Sequence, residues 1–278
     1  MTERGVPPVT IKDVKTILTA PNGIRLVVVK VITSEPGLYG LGCATFTQRP
    51  LAVATAIDEY VKPFVIGRDV DRIEDIWQAL YVSSYWRSGP VLNNAMSGLD
   101  EALWDIKGKR AGMPVYQLLG GKCREAVPVY THASGGSLSE VEEQARSFLE
   151  RGFRYIRVQM GISGLSTYGS RGGQIVPALD PAQTRTWEPT PYVRTVPRLL
   201  EHLRVALGDD VELLHDVHER IPPIQGVWLA KAVEPYRLFF LEDLFAPEDN
   251  DYFRMVRAQC ATPIAMGELF VNQAEYVP

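Results

Sequence analysis

The stretch LLHDVHERI, residues 213–221, places one aspartate between two of the four histidines of the chain. If residues 211–218 form a strand, Asp216 and His218 point to one face and His215 to the other, because side chains alternate along a strand. An Asp and a His side by side where a buried strand ends are typical of a metal ligand beside an acid–base group. A solvated strand end with a chance pair fits the same residues, so this stretch alone leaves both interpretations open.

Three apolar runs, LLHD, LFFLE and PIAMGE, each end in a carboxylate, and the successive acids Asp216, Glu242 and Glu268 are 26 residues apart. One strand–helix unit of a β/α barrel takes about this length, so we expect the three acids at the same height on adjacent strands, at the carboxyl end of a barrel. Carboxylates held together repel each other unless a cation lies between them, and oxygen ligands suit Mg²⁺. The equal spacing therefore favours a Mg²⁺ site over three unrelated solvated loop residues.

The composition limits the classes of protein to which this chain can belong. With 278 residues, 46% of them hydrophobic and 22% charged, the chain can bury a core in one or two globular domains. A net charge of −4 indicates neither a nucleic-acid nor an acidic-membrane partner. Cys43, Cys123 and Cys260 form no disulfide or zinc pattern, which favours a reducing compartment. Without an apolar leader or spanning run, we expect a cytoplasmic protein.

The order of elements predicts two domains, 1–125 and 126–278. VTIKDVKTILTA, IRLVVVKVITSE and GLYGLGCATF predict a β-meander, and helices follow, one of them ending at Gly112. From residue 126 strands and helices alternate, which predicts a parallel sheet of about five strands, with a capping box of Ser139 and Glu142 at one helix. The glycine-rich segment 161–191 is too long for an ordinary connection, and we expect a mobile lid there.

Several motifs together resemble a known superfamily. The strand-end carboxylates, the opening meander with its helices and LDEALWDIKGKRAGMPVYQLLGG resemble the enolase superfamily. More narrowly, YGLGCATF, RIEDIWQALY, YWRSGPV, YTHASGG and LLHDVHER are similar to the D-mannonate dehydratase subgroup, which includes starvation-sensing proteins. The resemblance implies an α+β capping domain followed by a parallel (β/α) barrel. With about five barrel strands present, we expect a chain truncated at its C-terminus.

The resemblance also implies a reaction, the Mg²⁺-assisted loss of water from an acid sugar to give a 2-keto-3-deoxy sugar acid. Matched by position, Asp216, Glu242 and Glu268 are the metal ligands of the family. His218, two residues after the first ligand, matches the acid that protonates the departing 3-hydroxyl group.

The remaining site residues are carried over in the same way. Tyr168, with Arg157 beside it, matches the base that takes the proton next to the substrate carboxylate. A phenol has a pKa of about 10, and a guanidinium alongside favours the phenolate. His132 matches a substrate-contacting position, and Thr47 stands where the family has a polar amide that contacts the substrate.

Three hypotheses for the function remain. The leading one is a dehydratase for a D-mannonate-like acid sugar, and the second is a dehydratase for D-gluconate or another aldonic acid. The third is a non-catalytic sugar-acid binding or regulatory protein, which Thr47 and the truncation favour. The strand IRVQ has no paired lysines, which counts against a racemase. We expect a small sugar acid and further copies of the chain as partners, and neither nucleic acid nor membrane.

Overall fold

The computed structural model describes residues 8–161 and 188–277, which form two compact units that divide between residues 125 and 126. The first unit contains β1 (Ile11–Thr19), β2 (Leu26–Thr33), β3 (Tyr39–Cys43), α1 (Pro50–Ala56), α2 (Lys62–Val65), α3 (Ile73–Ser83), α4 (Pro90–Ala111) and α5 (Val115–Leu118). The second contains β4 (Tyr130–Gly135), α6 (Leu138–Glu150), β5 (Tyr155–Met160), α7 (Pro189–Leu207), β6 (Glu212–Asp216), α8 (Pro223–Val233), β7 (Phe240–Glu242), α9 (Tyr252–Arg257) and β8 (Ile264–Ala265). Shorter 3₁₀ turns are Pro21–Gly23, Glu234–Tyr236, Pro247–Asp249 and Gln273–Tyr276, and a π-turn, Ile57–Val61, joins α1 to α2. No helix in this part of the chain combines the length and the apolar character needed to cross a bilayer.

The first unit packs an antiparallel sheet, ordered β1-β2-β3, against its helices. Alternate residues of β2 are buried, as a sheet with one covered face requires. They share a core with the apolar stripe of α4, which comprises Leu99, Ala102, Leu103 and Ile106. Gly112 adopts a left-handed conformation and ends this helix. The predicted meander and the predicted helix are both confirmed.

Two glycines of β3 allow α4 to approach the sheet unusually closely. A Cβ atom on Gly42 would lie 2.0 Å from the carbonyl oxygen of Gly98, and one on Gly40 would lie 1.9 Å from that of Ala102. Both distances are far below van der Waals contact, so the backbones of β3 and α4 pack together only because these side chains are absent.

The same helix covers the open edge of the sheet. β3 is an edge strand, and the backbone N–H groups of Leu41 and Cys43 have no neighbouring strand to donate to. The carboxylate of Asp105 accepts from Leu41 at 2.8 Å, and that of Glu101 accepts from Cys43 at 2.7 Å. The carboxylates of α4 therefore accept the hydrogen bonds that a fourth strand would otherwise accept from β3. This also protects the edge of the sheet from pairing with another chain.

The second unit has the alternating strand–helix order that the sequence predicted, with parallel strands in the order β4-β5-β6-β7-β8. The predicted capping box at α6 is wrong. The helix begins at Leu138, and the Ser137 hydroxyl accepts from the N–H of Glu140. Ser137 has the extended backbone that an N-cap requires, whereas Ser139 already lies inside the helix.

The strand register separates two of the predicted metal ligands from the third. Asp216 and Glu242 are direct partners on β6 and β7, at the same height, as predicted. The β8 partner of Glu242 is Ala265, so Glu268 lies three residues beyond the register position that equal spacing implied. The sequence spacing includes connections of unequal length, so equal spacing did not produce equal height.

The predicted lid falls mostly outside the described residues, which omit 162–187. Its last three residues, 189–191, are the first turn of α7 instead, because Pro189 occupies the start of that helix. Proline is favoured there, since the first helical N–H groups have no partner within the helix.

The close contact between β3 and α4 gives a first prediction. Gly42→Ala forces a methyl group into backbone atoms, and overpacking of this kind costs about 1–3 kcal/mol. We expect a melting temperature about 3–10 °C lower, measured by circular dichroism. Gly161→Ala is the control, since its new methyl group would lie 3.6 Å from the Gly135 carbonyl oxygen, an ordinary van der Waals contact. Equal melting temperatures for the two variants would contradict this view of the helix–sheet contact.

Candidate active site

A buried ion pair joins the middle of β5 to the carboxyl end of β6. Arg157 on β5 is 4% exposed and Asp216 on β6 is fully buried. Nη1 of Arg157 donates to Oδ2 of Asp216 and lies 3.6 Å from Oε2 of Glu242. Removing either member of such a pair leaves an uncompensated charge in the interior, so the two residues hold each other in place.

Contacts from neighbouring elements hold Asp216 in position. Its backbone carbonyl accepts from the Gln159 amide at 3.2 Å and lies 3.4 Å from the Tyr192 hydroxyl oxygen. Its Oδ1 accepts from the backbone N–H of His218 at 2.9 Å. These contacts from β5, α7 and the following loop fix the carboxylate in one orientation.

His218 lies beside Asp216, although not for the reason that strand alternation suggested. β6 ends at Asp216, and His218 follows it with a positive φ of 52°. Nε2 of His218 contacts Oδ2 of Asp216, and Nδ1 lies 2.8 Å from Nη2 of Arg220. A guanidinium can only donate, so Nδ1 accepts and the ring hydrogen of this arrangement lies on Nε2, toward the acid.

His215 has the structural role that its predicted orientation implied. It is 2% exposed, and its two ring nitrogens lie 2.7 Å from the Val158 carbonyl and 2.7 Å from the Tyr192 hydroxyl of α7. Burial lowers the pKa of His215 to about 4. The ring is therefore a neutral hydrogen-bonding group of the core.

Three residues converge closely enough to hold a metal ion. Among the described residues, ligand atoms of Asp216, His218 and Glu268 all lie within 4.8 Å of one another. Glu268 reaches this group because the chain turns at Gly267, where φ is 134°. Glu242, a predicted ligand, is absent from this set and lies against Arg157 instead.

The charges around this group fit a divalent cation. Burial, then the charges of neighbouring acids, raise the pKa of Glu242. Burial and Glu268 raise the pKa of Asp243 to about 8, and burial with nearby acids raises that of Glu219 to about 7. These shifts mark carboxylates that are costly to ionise together, a cost that a bound cation removes. Their oxygen atoms are the donors that Mg²⁺ prefers.

Three residues of this region, Glu219, Arg220 and Asp243, are not among those predicted from the sequence. Asp243 is 1% exposed and follows Glu242 directly, with a φ of 44°. Strand alternation points consecutive residues to opposite faces, and a positive φ at a residue other than glycine leaves no mark in the sequence. The consecutive acids in LFFLED and the ER of LLHDVHER were the available signals.

The other predicted site residues are only partly placed. His132 on β4 is the register partner of Arg157, and partial burial, followed by the charge of Arg157, lowers its pKa. Thr47 lies after β3 in the first unit, where its hydroxyl donates to Oε1 of Gln48 at 2.8 Å. Tyr168 lies outside the described residues. The roles of all three stay predictions.

Two family models match most of the chain. Residues 3–120 match the mandelate racemase/muconate lactonizing enzyme N-terminal domain, and residues 140–278 match the enolase C-terminal domain-like family. A D-galactonate dehydratase family member from Musicola paradisiaca is 56% identical over 280 residues, covering 96% of this chain and 67% of its own length. The family member RspA from Pantoea ananatis is 57% identical with the same coverage.

A solved structure agrees with these matches. The crystal structure of an enolase from Pantoea ananatis, with bound D-gluconate and Mg²⁺, has a TM-score of 0.87 and 56% identity, over 96% of this chain and 68% of that one. The chain thus spans about two thirds of the length of the relatives it matches. The predicted fold class, an α+β domain followed by strands of a parallel (β/α) barrel, is confirmed. The chain belongs to the enolase superfamily, in its mandelate racemase/muconate lactonizing enzyme branch, and within that branch to the D-galactonate dehydratase family of hydro-lyases.

Proposed function

We propose that this protein catalyses the Mg²⁺-dependent dehydration of an aldonic acid to a 2-keto-3-deoxy sugar acid. The observation that carries the proposal is the convergence of Asp216, His218 and Glu268 at the carboxyl ends of parallel strands. The Pantoea ananatis structure supports it, because that relative binds D-gluconate and Mg²⁺.

In this proposal, the converged carboxylates Asp216 and Glu268 hold the metal ion together with Glu242, the direct partner of Asp216 on β7, and His218 is left to act as the proton donor. Mg²⁺ bound there would supply positive charge beside the substrate carboxylate, which makes the neighbouring carbon-bound proton easier to remove. The protein places its own cation, Arg157, against Asp216 and 3.6 Å from Glu242, so the ligand oxygens are oriented from behind by a buried guanidinium.

The proton transfers are assigned to two side chains. Tyr168, with Arg157, takes the proton from C2, and His218 protonates the hydroxyl that leaves C3 as water. Nε2 of His218 faces the acid cluster and is the ring nitrogen that would give up the proton, while Nη2 of Arg220, 2.8 Å from Nδ1, orients the ring from the other side. The general acid is thus oriented by one contact on each side of its ring.

Two observations favour two different substrates. The sequence motifs favour D-mannonate, whereas the ligand of the Pantoea ananatis relative favours D-gluconate. These sugar acids differ only in configuration at C2, the carbon that loses its proton, and both would yield the same product. A keto-acid assay with Mg²⁺ across D-mannonate, D-gluconate and D-galactonate tests the proposal. No product from any of them would leave a sugar-acid binding protein as the function.

We also propose that residues 1–125 and 126–278 are the two domains of this enzyme, because the compact units divide at residues 125 and 126.

The metal ligands can be tested without turnover. Glu268→Gln removes an exposed carboxylate, and we expect Mg²⁺ affinity to fall at least about tenfold by isothermal titration calorimetry, the lower end of the effect of residues that support metal ligands. Glu212→Gln is the matched control, since Glu212 starts the strand that Asp216 ends. Unchanged Mg²⁺ affinity in the Glu268 variant would remove it from the ligand set.

The crowded acids predict a pH dependence. Without divalent cations, the raised pKa values of Asp243 and Glu219 mean that these two carboxyl groups take up protons below about pH 8 in the folded protein, whereas in the unfolded chain the same groups do so only at much lower pH. The free energy of unfolding should therefore rise by about 1–2 kcal/mol between pH 8 and pH 6.5. We expect urea unfolding to show this rise in EDTA and to lose most of it with saturating Mg²⁺ or in Asp243→Asn. A fall in stability over this range in EDTA would contradict the assignment.

The two histidines predict opposite outcomes. His218→Asn should lower the dehydration rate by about 10²–10⁴-fold while sugar-acid binding persists, because only the proton donor is lost. His215→Asn should mainly lower the melting temperature, since it disturbs two buried hydrogen bonds. Steady-state kinetics and thermal unfolding of both variants check this. A normal rate in the His218 variant, with an inactive but stable His215 variant, would reverse the two roles.

A further inference from the structure

The group of ligand atoms that converges at the strand ends includes a nitrogen atom. Within the described part of the chain, ligand atoms of Asp216, His218 and Glu268 lie within 4.8 Å of one another. Imidazole nitrogen is a good ligand for Zn²⁺, Ni²⁺ and Cu²⁺, whereas Mg²⁺ prefers oxygen. If His218 joined the ligands, the site would therefore favour a transition metal over Mg²⁺, and the ring would no longer be available as a proton donor.

The contact on the other side of the ring decides whether His218 can be a ligand. Nδ1 of His218 lies 2.8 Å from Nη2 of Arg220. A guanidinium has only donors, so Nδ1 uses its lone pair to accept. A neutral imidazole has one such lone pair, and the hydrogen bond at one ring nitrogen sets what the other nitrogen can do. With the lone pair at Nδ1, Nε2 has none to offer to a metal ion.

Histidines that bind metal ions have the opposite surroundings. Their second ring nitrogen almost always donates to a carboxylate, a backbone carbonyl or a water molecule, which leaves the lone pair at the nitrogen that faces the metal. This chain builds such surroundings at His215, because Nδ1 of that ring lies 2.7 Å from the Val158 carbonyl oxygen, which can only accept. At His218 the corresponding position holds a donor. Two histidines three residues apart are thus held in opposite tautomers.

The loop after β6 fixes the geometry of the contact with Arg220. His218 has a φ of 52°, and its backbone N–H donates to Oδ1 of Asp216 at 2.9 Å. One edge of the ring then faces the Asp216 carboxylate and the other faces Arg220. Arg220 is partly buried. Partial exclusion of water strengthens a hydrogen bond from a charged donor.

We propose that Arg220 is a positioning residue that keeps His218 out of the coordination sphere of the metal ion. Its guanidinium holds the ring lone pair at Nδ1, so Nε2 stays beside Asp216 as a donor while carboxylate oxygen atoms hold the metal ion. One contact thereby favours Mg²⁺ and preserves the proton donor. This inference rests on the metal site of the proposed function, and it does not depend on which sugar acid is the substrate.

The first test compares the affinities for Zn²⁺ and Mg²⁺, measured by isothermal titration calorimetry at one pH. Arg220→Met removes the donor, and we expect the ratio of Zn²⁺ affinity to Mg²⁺ affinity to rise at least about tenfold, the lower end of the effect of groups that orient ligand histidines. The ratio is the readout because loss of a nearby positive charge raises the affinity for both ions. Arg237→Met is the matched control, since it removes an exposed arginine that pairs with Asp209. An unchanged ratio in Arg220→Met overturns the proposal.

The second test asks whether this gain depends on the imidazole. When His218→Asn is added to Arg220→Met, we expect the ratio to return to that of the parent chain. His218→Asn alone should leave the ratio unchanged, because the ring is not a ligand while Arg220 is in place. Asparagine is suited to this position, since it tolerates a positive φ. A gain that persists without His218, or a lower ratio in His218→Asn alone, contradicts the role of Arg220.

Pulsed EPR with an equimolar amount of Cu²⁺ gives an independent signature, because a coordinated imidazole adds nitrogen couplings to the spectrum. We expect couplings that depend on His218 in Arg220→Met, and none of them in the parent chain. Circular dichroism checks that each variant folds. Couplings from His218 in the parent chain overturn the proposal. A parent chain that binds neither Mg²⁺ nor Zn²⁺ overturns the metal site as well, whereas the expected affinities without turnover of any sugar acid support this inference and refute only the proposed reaction.

Discussion

The ion pair between Arg157 and Asp216 is the constraint on which the second unit depends. Two opposite charges lie in the interior, one in the middle of β5 and one at the carboxyl end of β6, and neither would be tolerated there alone. The pair fixes how these two strands lie relative to each other. Gln159 then donates to the Asp216 carbonyl, and His218 contacts the Asp216 carboxylate through both its backbone N–H and its ring. Stability and the candidate chemistry therefore share one set of contacts.

One guanidinium does not balance the negative charge gathered around it. Burial, and then the neighbouring negative charges of Asp216 and Glu268, raise the pKa values of Glu242 and Asp243. A protein that needed only a stable core would place apolar residues at such strand ends. The surplus of carboxylates is instead what an enzyme keeps where a cation and a charged substrate are to bind. Keeping these carboxylates ionised together without a cation costs free energy, and this cost is the strongest physical reason to expect a metal ion here.

Much of the fold could be predicted from the sequence, because buried apolar residues recur with the period of a helix or a strand. The buried face of α4 and the alternation in β2 follow directly from where apolar residues recur. Asp216 and Glu242 were placed correctly because both end strands that pair directly. Glu268 was misplaced in register because its position depends on connection lengths and on the turn at Gly267, which have no periodic signal. Its convergence with Asp216 comes from that turn, not from the spacing.

The residues that periodicity could not place share a physical property. His218, Glu219 and Asp243 all have positive φ values without being glycine, and all three follow strand ends of the acid cluster. Such a backbone conformation costs free energy and persists only when surrounding contacts impose it. Here the contacts are identifiable: the His218 N–H donates to Asp216, the Glu219 N–H donates to the Asp243 carbonyl, and the Asp243 N–H donates to Ala265. These bonds connect three successive strand ends across the sheet, so the strain is distributed through the loops that present the acids. Sequence patterns predict helices and strands, whose backbone groups form regular hydrogen bonds. The backbone N–H groups of this site instead donate to residues of neighbouring strand ends, and such contacts have no periodic pattern in the sequence.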